Sequence, residues 1–141
     1  MSEAFTHRIR IGWADCDPAR VAFTGRIPYF ALEAIDAFWE AIVGADWYRL
    51  NIDRNVGTPF VHMSFDLRSP ITPLHPLLLD VRVLRVGEGS VRFRVEGRQD
   101  GVLCFESELV EAFTSLYLKE KARLPDDIRA KLLERLEAQT A

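Results

Sequence analysis

Trp13-Ala14-Asp15-Cys16-Asp17-Pro18-Ala19-Arg20-Val21-Ala22-Phe23-Thr24 runs through Gly25-Arg26 into Ile27-Pro28-Tyr29-Phe30-Ala31, and the change of pattern between the two halves decides how the chain folds. The first half sets two carboxylates two residues apart, the second directly before a proline. Asp side chains accept backbone N–H bonds and proline pre-sets a turn, so Asp15-Cys16-Asp17-Pro18 reads as a turn that ends a strand and leads toward a helix. From Pro28 onward the period becomes helical: Ile27, Phe30, Ala31, Ala34, Ile35, Phe38 and Ile42 fall on spacings of three and four, and Gly44 supplies a stop. Pro28 suits the first helical turn, where its missing N–H would have no partner anyway. Glu33, Asp36 and Glu40 make the one narrow polar stripe, and a helix so apolar has to be enclosed by something else.

Working outward, residues 4–13 alternate, with Phe5, His7, Ile9 and Ile11 on one side and Thr6, Arg8 and Arg10 on the other, the period of a half-buried first strand. Asp46 to Asn55 reads as a connection in which Trp47, Tyr48 and Leu50 pack near the helix. Thr58 to Ser69 alternates as a strand, and Ser69-Pro70-Ile71-Thr72-Pro73-Leu74-His75-Pro76 is proline punctuation that disfavours regular pairing. Leu77–Val86, Ser90–Arg98 and Val102–Leu118 are separated by Gly87-Glu88-Gly89-Ser90 and Gln99-Asp100-Gly101, which predicts a three-stranded antiparallel meander. Ile128, Leu132, Leu133 and Leu136 mark an amphipathic closing helix from Pro125 to Leu136. One strand, a helix and four further strands give an α+β class with about five antiparallel strands around one helix. The edge strands of such a sheet are a liability that pairing with a second copy removes, so at least a dimer is expected.

The 141 residues, 48% of them apolar, suit one domain spanning 1–141. A formal charge of −3 provides no positive field for nucleic acid, and no stretch approaches the ~20 apolar residues of a membrane span. The N-terminus lacks the apolar core of a signal peptide, so a cytoplasmic location is expected. Cys16 and Cys104 are expected to be free thiols, and Cys16, flanked by two carboxylates, is a poor nucleophile. His7, His62 and His75 lack metal-ligand spacing, which argues against a metal site.

Asp15-Cys16-Asp17-Pro18-Ala19, the apolar run after it, and Tyr29-Phe30 with Glu33-Ala34 resemble the active-site motif of the 4-hydroxybenzoyl-CoA thioesterase family, whose members are hotdog-fold enzymes. A second block, Val56-Gly57-Thr58-Pro59-Phe60-Val61, is similar to the Gly-Thr-Pro that opens the family's next strand, and the likeness extends over roughly residues 5 to 118. The resemblance implies a curved sheet wrapped around the helix, hydrolysis of an acyl-CoA thioester without a cofactor, and homodimers or homotetramers with active sites at the subunit interface.

It also implies roles. A thioester carbonyl needs an attacking oxygen and donors for the oxyanion that forms. Asp17 aligns on the family's catalytic carboxylate, as nucleophile or as general base toward water, while Asp15 holds the turn. The oxyanion donors fall at the start of the helix or in the loop before it, among Thr24, Gly25 and Arg26, where this chain departs from the family's usual Tyr or His. Glu33 lies at or beside the position that contacts a ring substituent, or else faces water with Asp36 and Glu40. Thr58 borders the acyl pocket from the neighbouring subunit or simply starts a strand, and His62 is a pocket wall or a surface residue. Arg92 and Arg94, near the Gly87–Ser90 turn, are the candidates for the CoA phosphates, although the turn is acidic where the family often has a basic run. A compact, possibly aromatic acyl-CoA is the expected substrate. An acyl-carrier-protein thioester and a non-catalytic acyl binder are the alternatives.

Overall fold

The computed structural model describes residues 4–115, 117 and 119–140. Its main sheet has five antiparallel strands in the order β1-β4-β5-β6-β3, formed by β1 (Phe5–Ile9), β3 (Phe60–Leu67), β4 (Leu77–Val86), β5 (Ser90–Gln99) and β6 (Val102–Ala112). Two short strands, β2 (Val56–Gly57) and β7 (Thr114–Ser115), pair separately. The helices are α1 (Ile27–Phe38) and α2 (Asp126–Thr140). This is the sheet and central helix expected above.

The alternation of each strand sorts its side chains. Leu77, Leu79, Val81 and Val83 of β4 and Val91, Phe93 and Val95 of β5 are buried on one face, and α1 packs there with Phe30, Ala31, Ala34, Ile35 and Phe38. Ala31 and Ala34 let the helix approach closely, while the Phe38 ring meets Phe93 edge-on at 5.4 Å between centroids and Phe5 at 5.9 Å. β5 and β6 are joined by Asp100 and Gly101, at φ of 49° and 78°, the left-handed pair that a two-residue hairpin requires.

Several boundaries differ from the sequence expectations. β1 ends at Ile9 because the chain turns at Trp13–Asp15 instead of continuing extended. Strand structure predicted from Thr58 begins at Phe60, with Val56–Gly57 diverted to pair with β7. The last meander strand ends at Ala112 and not Leu118; residues 116 and 118 of that expectation lie outside the described residues. The helix continues past Phe38 as a π-turn, Trp39–Val43, and stops at Gly44 with φ of 93°. Arg49–Asp53 forms a second such turn. Leu133 is exposed, since α2 buries Ile128, Leu132 and Gln139 instead. The Gln139 amide takes both backbone groups of Val83, its oxygen accepting the N–H at 2.9 Å and its nitrogen donating to the carbonyl at 2.7 Å. β1 pairs only as far as Val81, so this amide closes β4 where β1 no longer covers it. No described helix is long and apolar enough to cross a membrane.

Candidate active site

Asp15 to Phe23 form a narrow hairpin. Asp17 donates its N–H to the Val21 carbonyl at 3.1 Å, Arg20 donates to the Asp17 carbonyl at 2.9 Å, and Phe23 donates to the Asp15 carbonyl at 2.9 Å. Ala22 donates to the Ile71 carbonyl at 2.7 Å, which anchors the hairpin to the proline-rich connection. Asp17 sits at the tip, half-buried, with Oδ1 accepting the Ala19 N–H at 2.9 Å. With Trp13, Cys16, Pro18 and Arg20 it lines a depression of about 340 Å³. Trp13 beside it is 76% exposed, a large ring that the single chain leaves uncovered.

Asp15 is held differently. Its Oδ2 accepts the Gly12 N–H at 2.9 Å and its Oδ1 the Arg26 Nε–H at 2.8 Å. Partial burial works toward protonation, but the Gly12 N–H and the Arg26 guanidinium outweigh it and keep this carboxyl below the usual carboxylate value. Thr24, Gly25 and Arg26 then make a single 3₁₀ turn that leads without a break into α1. The amides that open a helix have no carbonyl one turn back, so Thr24 and Gly25 are placed where N–H groups are available to an anion. A Cβ on Gly25 would come within 2.6 Å of the Phe23 ring, so a side chain there must displace that ring.

The other expected residues are spread over three surfaces. Glu33 lines a cavity of about 530 Å³ with Asp15, Arg26, Tyr29, Leu32 and Trp47, and its Oε2 is 2.7 Å from His7 Nε2 on β1. Of its stripe, Asp36 accepts the Trp47 N–H at 2.9 Å, and Glu40 is exposed. Thr58 lines a separate, largely apolar cavity of about 600 Å³ with Leu32, Trp47, Asn51, Pro59 and Phe60, so Leu32 and Trp47 form the partition between the two. His62 is exposed on the edge strand β3. Arg92 and Arg94 lie on the sheet face turned away from α1, 3.0 and 3.1 Å from the two oxygens of Glu108. Within one protomer, then, Asp17 and Thr58 line different concavities. Cys16 and Cys104 are free, and burial raises the Cys104 thiol above its ordinary value. Among the described residues no three His, Cys, Asp or Glu side chains are grouped to hold a metal.

Sequence reasoning missed Glu111. It lies on β6 between Leu109 and Phe113, facing the core, and is completely buried. Its Oε1 accepts the Trp39 indole N–H at 2.8 Å and its Oε2 accepts the Trp47 indole N–H at 3.0 Å, and the Thr58 side chain lies near it. Burial pushes this carboxyl up to about 8 despite those partners, and the nearby charge of Asp36 adds to the rise. A signal existed in the alternation itself: Phe105, Ser107, Leu109, Glu111 and Phe113 occupy one face of the strand, and a carboxyl in that series has to meet donors inside.

Comparison with known proteins fits this architecture. Residues 11–132 match the family model described as the thioesterase-like superfamily. A thioesterase-superfamily protein from Jannaschia sp. CCS1 is 45% identical, with a TM-score of 0.89 over 93% of this chain and 92% of that one. A 1,4-dihydroxy-2-naphthoyl-CoA thioesterase from Synechocystis has the same fold at 19% identity, with a TM-score of 0.84 over 94% and 97% of the two chains. A hypothetical protein from Staphylococcus aureus, solved in complex with CoA, shares the fold at 10% identity, with a TM-score of 0.88 over 99% and 87%. No curated protein matches the chain. The match spans the carboxylate hairpin, the enclosed helix and every strand of the main sheet except β1, and with the Jannaschia likeness it establishes that this chain belongs to the thioesterase-like superfamily, with the hotdog fold.

Proposed function

We propose that the protein hydrolyses the thioester of a compact, aromatic acyl-CoA, of the hydroxybenzoyl type, to the free acid and CoA, with Asp17 as the reacting carboxylate. The observation that carries this reading is the Asp17 carboxylate fixed at the hairpin tip, a few residues before the amides of Thr24 and Gly25 in the 3₁₀ turn that leads into α1. Asp17 either attacks the carbonyl carbon, giving a mixed anhydride that water cleaves, or takes a proton from the water that attacks. The negative charge on the carbonyl oxygen is met by the Thr24 and Gly25 N–H groups and by the positive end of α1. Neither route calls for a cofactor. The naphthoyl-CoA thioesterase activity and the bound CoA of the structural neighbours support the class of substrate.

The site is completed by a second copy. β3 ends the sheet, and its Val61, Met63 and Leu67 are 65%, 41% and 52% exposed, an apolar edge suited to pairing with its own symmetry mate. A partner there brings its own Thr58 and His62 toward the surface that carries Asp17, and Glu33 then meets the far end of the acyl group. Arg92 and Arg94 contact the CoA phosphates only by sharing or leaving Glu108. That ion pairing favours a second reading, in which an acyl-carrier protein takes the place of CoA. A thiol-release assay over aromatic and aliphatic acyl-CoAs and acyl-carrier-protein thioesters decides between them. Asp17→Asn is expected to lower turnover at least about a hundredfold, the loss typical of a reacting acid–base group. Equal rates in variant and wild type remove Asp17 from the mechanism, and binding without turnover by the wild type identifies a silent acyl binder.

A further inference from the structure

His7 and Glu33 tie the edge of the sheet to the enclosed helix. His7 stands opposite the buried Leu79 in the β1–β4 register, on the sheet face where α1 packs, and its Nε2 is 2.7 Å from Glu33 Oε2. The imidazole is 26% exposed and the carboxylate 58%. An exposed carboxylate at neutral pH only accepts, so the hydrogen between them is on Nε2, in the neutral ring as in the charged one. Glu33 also lines the cavity of about 530 Å³, whose walls include the rings of Tyr29, Phe30 and Trp47. Two more carboxyls reach that cavity, and both are engaged by the protein: Asp15 holds the Gly12 N–H and Arg26, and Asp36 holds the Trp47 N–H. Among the described residues, Glu33 Oε1 accepts no hydrogen bond. One oxygen fixed and one open suits a single donor arriving on a ligand. Without His7, a long side chain this exposed would spread over several rotamers, and the ligand would have to order it on binding.

We propose that His7 is a positioning residue for substrate choice: by holding Oε2 it turns Oε1 of Glu33 to the acyl group, and so selects rings bearing an amine or a hydroxyl over rings bearing a methyl of similar size. This rests on the thioesterase reading, with the acyl ring reaching the Glu33 cavity. His7 does not touch the substrate; it acts through Glu33. A ring that carries only acceptors or a second carboxylate meets a lone pair or a like charge there and is disfavoured.

The test compares kcat/KM for pairs of benzoyl-CoA substrates that carry an amine or a methyl at the same ring position. The wild type is expected to favour the amine by about fivefold, roughly one exposed hydrogen bond, with the difference in KM and not in kcat. His7→Phe keeps a ring but removes the donor, and is expected to erase the preference. His7→Gln, whose amide nitrogen falls near the place of Nε2, is expected to restore it, and His7→Asn, whose shorter side chain does not reach that far, is not. Each ratio is taken within one variant, so a general loss of stability cancels, and the Gln and Asn variants carry the comparison if His7→Phe does not fold. Glu33→Gln lowers the same ratio, and adding His7→Phe to it is expected to lower it no further, because both changes act on one oxygen. A wild-type ratio in His7→Phe overturns the proposal, as do equal ratios in the Gln and Asn variants or a further fall in the double variant. If the wild type hydrolyses none of these thioesters, the thioesterase reading fails and this one falls with it. Hydrolysis by the wild type with no preference for the amine defeats this one alone.

Discussion

At the Asp15–Phe23 hairpin, carboxylates sit where an arginine, backbone amides or water can reach them; on β6, Glu111 is sealed among rings with only neutral donors. Asp15 is drawn below its ordinary pKa by Arg26 and Gly12, and Glu111 is driven above its own by burial. The difference teaches where each carboxyl can act. A carboxylate at a turn is available to a reactant at the surface, while a buried acid acts only through the side chains it orients.

The sharpest way to break this comparison is to remove the charge at each aspartate in turn. Asp17→Asn is expected to cost turnover, at least about a hundredfold, with little change in melting temperature, because its one hydrogen bond to the turn survives the substitution. Asp15→Asn is expected to do the opposite in kind: it weakens the Arg26 contact and lowers stability by about 1–2 kcal/mol. If Asp15→Asn abolished turnover while Asp17→Asn did not, the roles of the two would be exchanged.

Acid and base unfolding sharpen the comparison further. Burial raises the folded pKa of Glu111 to about 8 from the ordinary 4.5, so the folded state holds the extra proton between those limits, and its contribution to stability falls as pH rises from about 4.5 to about 8. Asp15, with its folded value lowered from 3.8, contributes stability above that value and loses it as the pH falls below. Melting curves across this range are expected to show the alkaline loss in the wild type and not in Glu111→Gln. An identical pH profile for the two would place the carboxyl in contact with water.

Smaller effects are expected at the periphery. Glu33→Gln should weaken hydroxy- or amino-substituted aryl substrates by a few-fold, roughly one exposed hydrogen bond, and an equal effect on benzoyl-CoA would remove the ring contact. Arg94→Gln should change stability by no more than about 0.5 kcal/mol, since exposed ion pairs contribute little. A large rise in KM for CoA substrates, with none for carrier-protein ones, would assign that guanidinium to the phosphates.

The sequence by itself determined the order and type of the main elements, because those rest on local periodicity. Phe30, Ala31, Ala34, Ile35 and Phe38 mark the enclosed helix, the β4 and β5 alternation marks which face is covered, and Asp100-Gly101 demands a tight hairpin whatever surrounds it. The resemblance carried by Asp15–Ala19 and Gly57–Pro59 reached the thioesterase-like superfamily for the same reason, as short motifs are read along the chain. Only the tertiary structure decided what long-range partners settle. It moved the end of β6 to Ala112, gave α2 a buried Gln139 in place of Leu133, and put Arg92 and Arg94 on Glu108. It also brought Trp39, Trp47 and Thr58 together around Glu111, residues 72, 64 and 53 positions away in the chain. Whether a carboxyl is an exposed charge or a buried acid depends on the donors and the dielectric that folding assembles around it, and no local pattern encodes either.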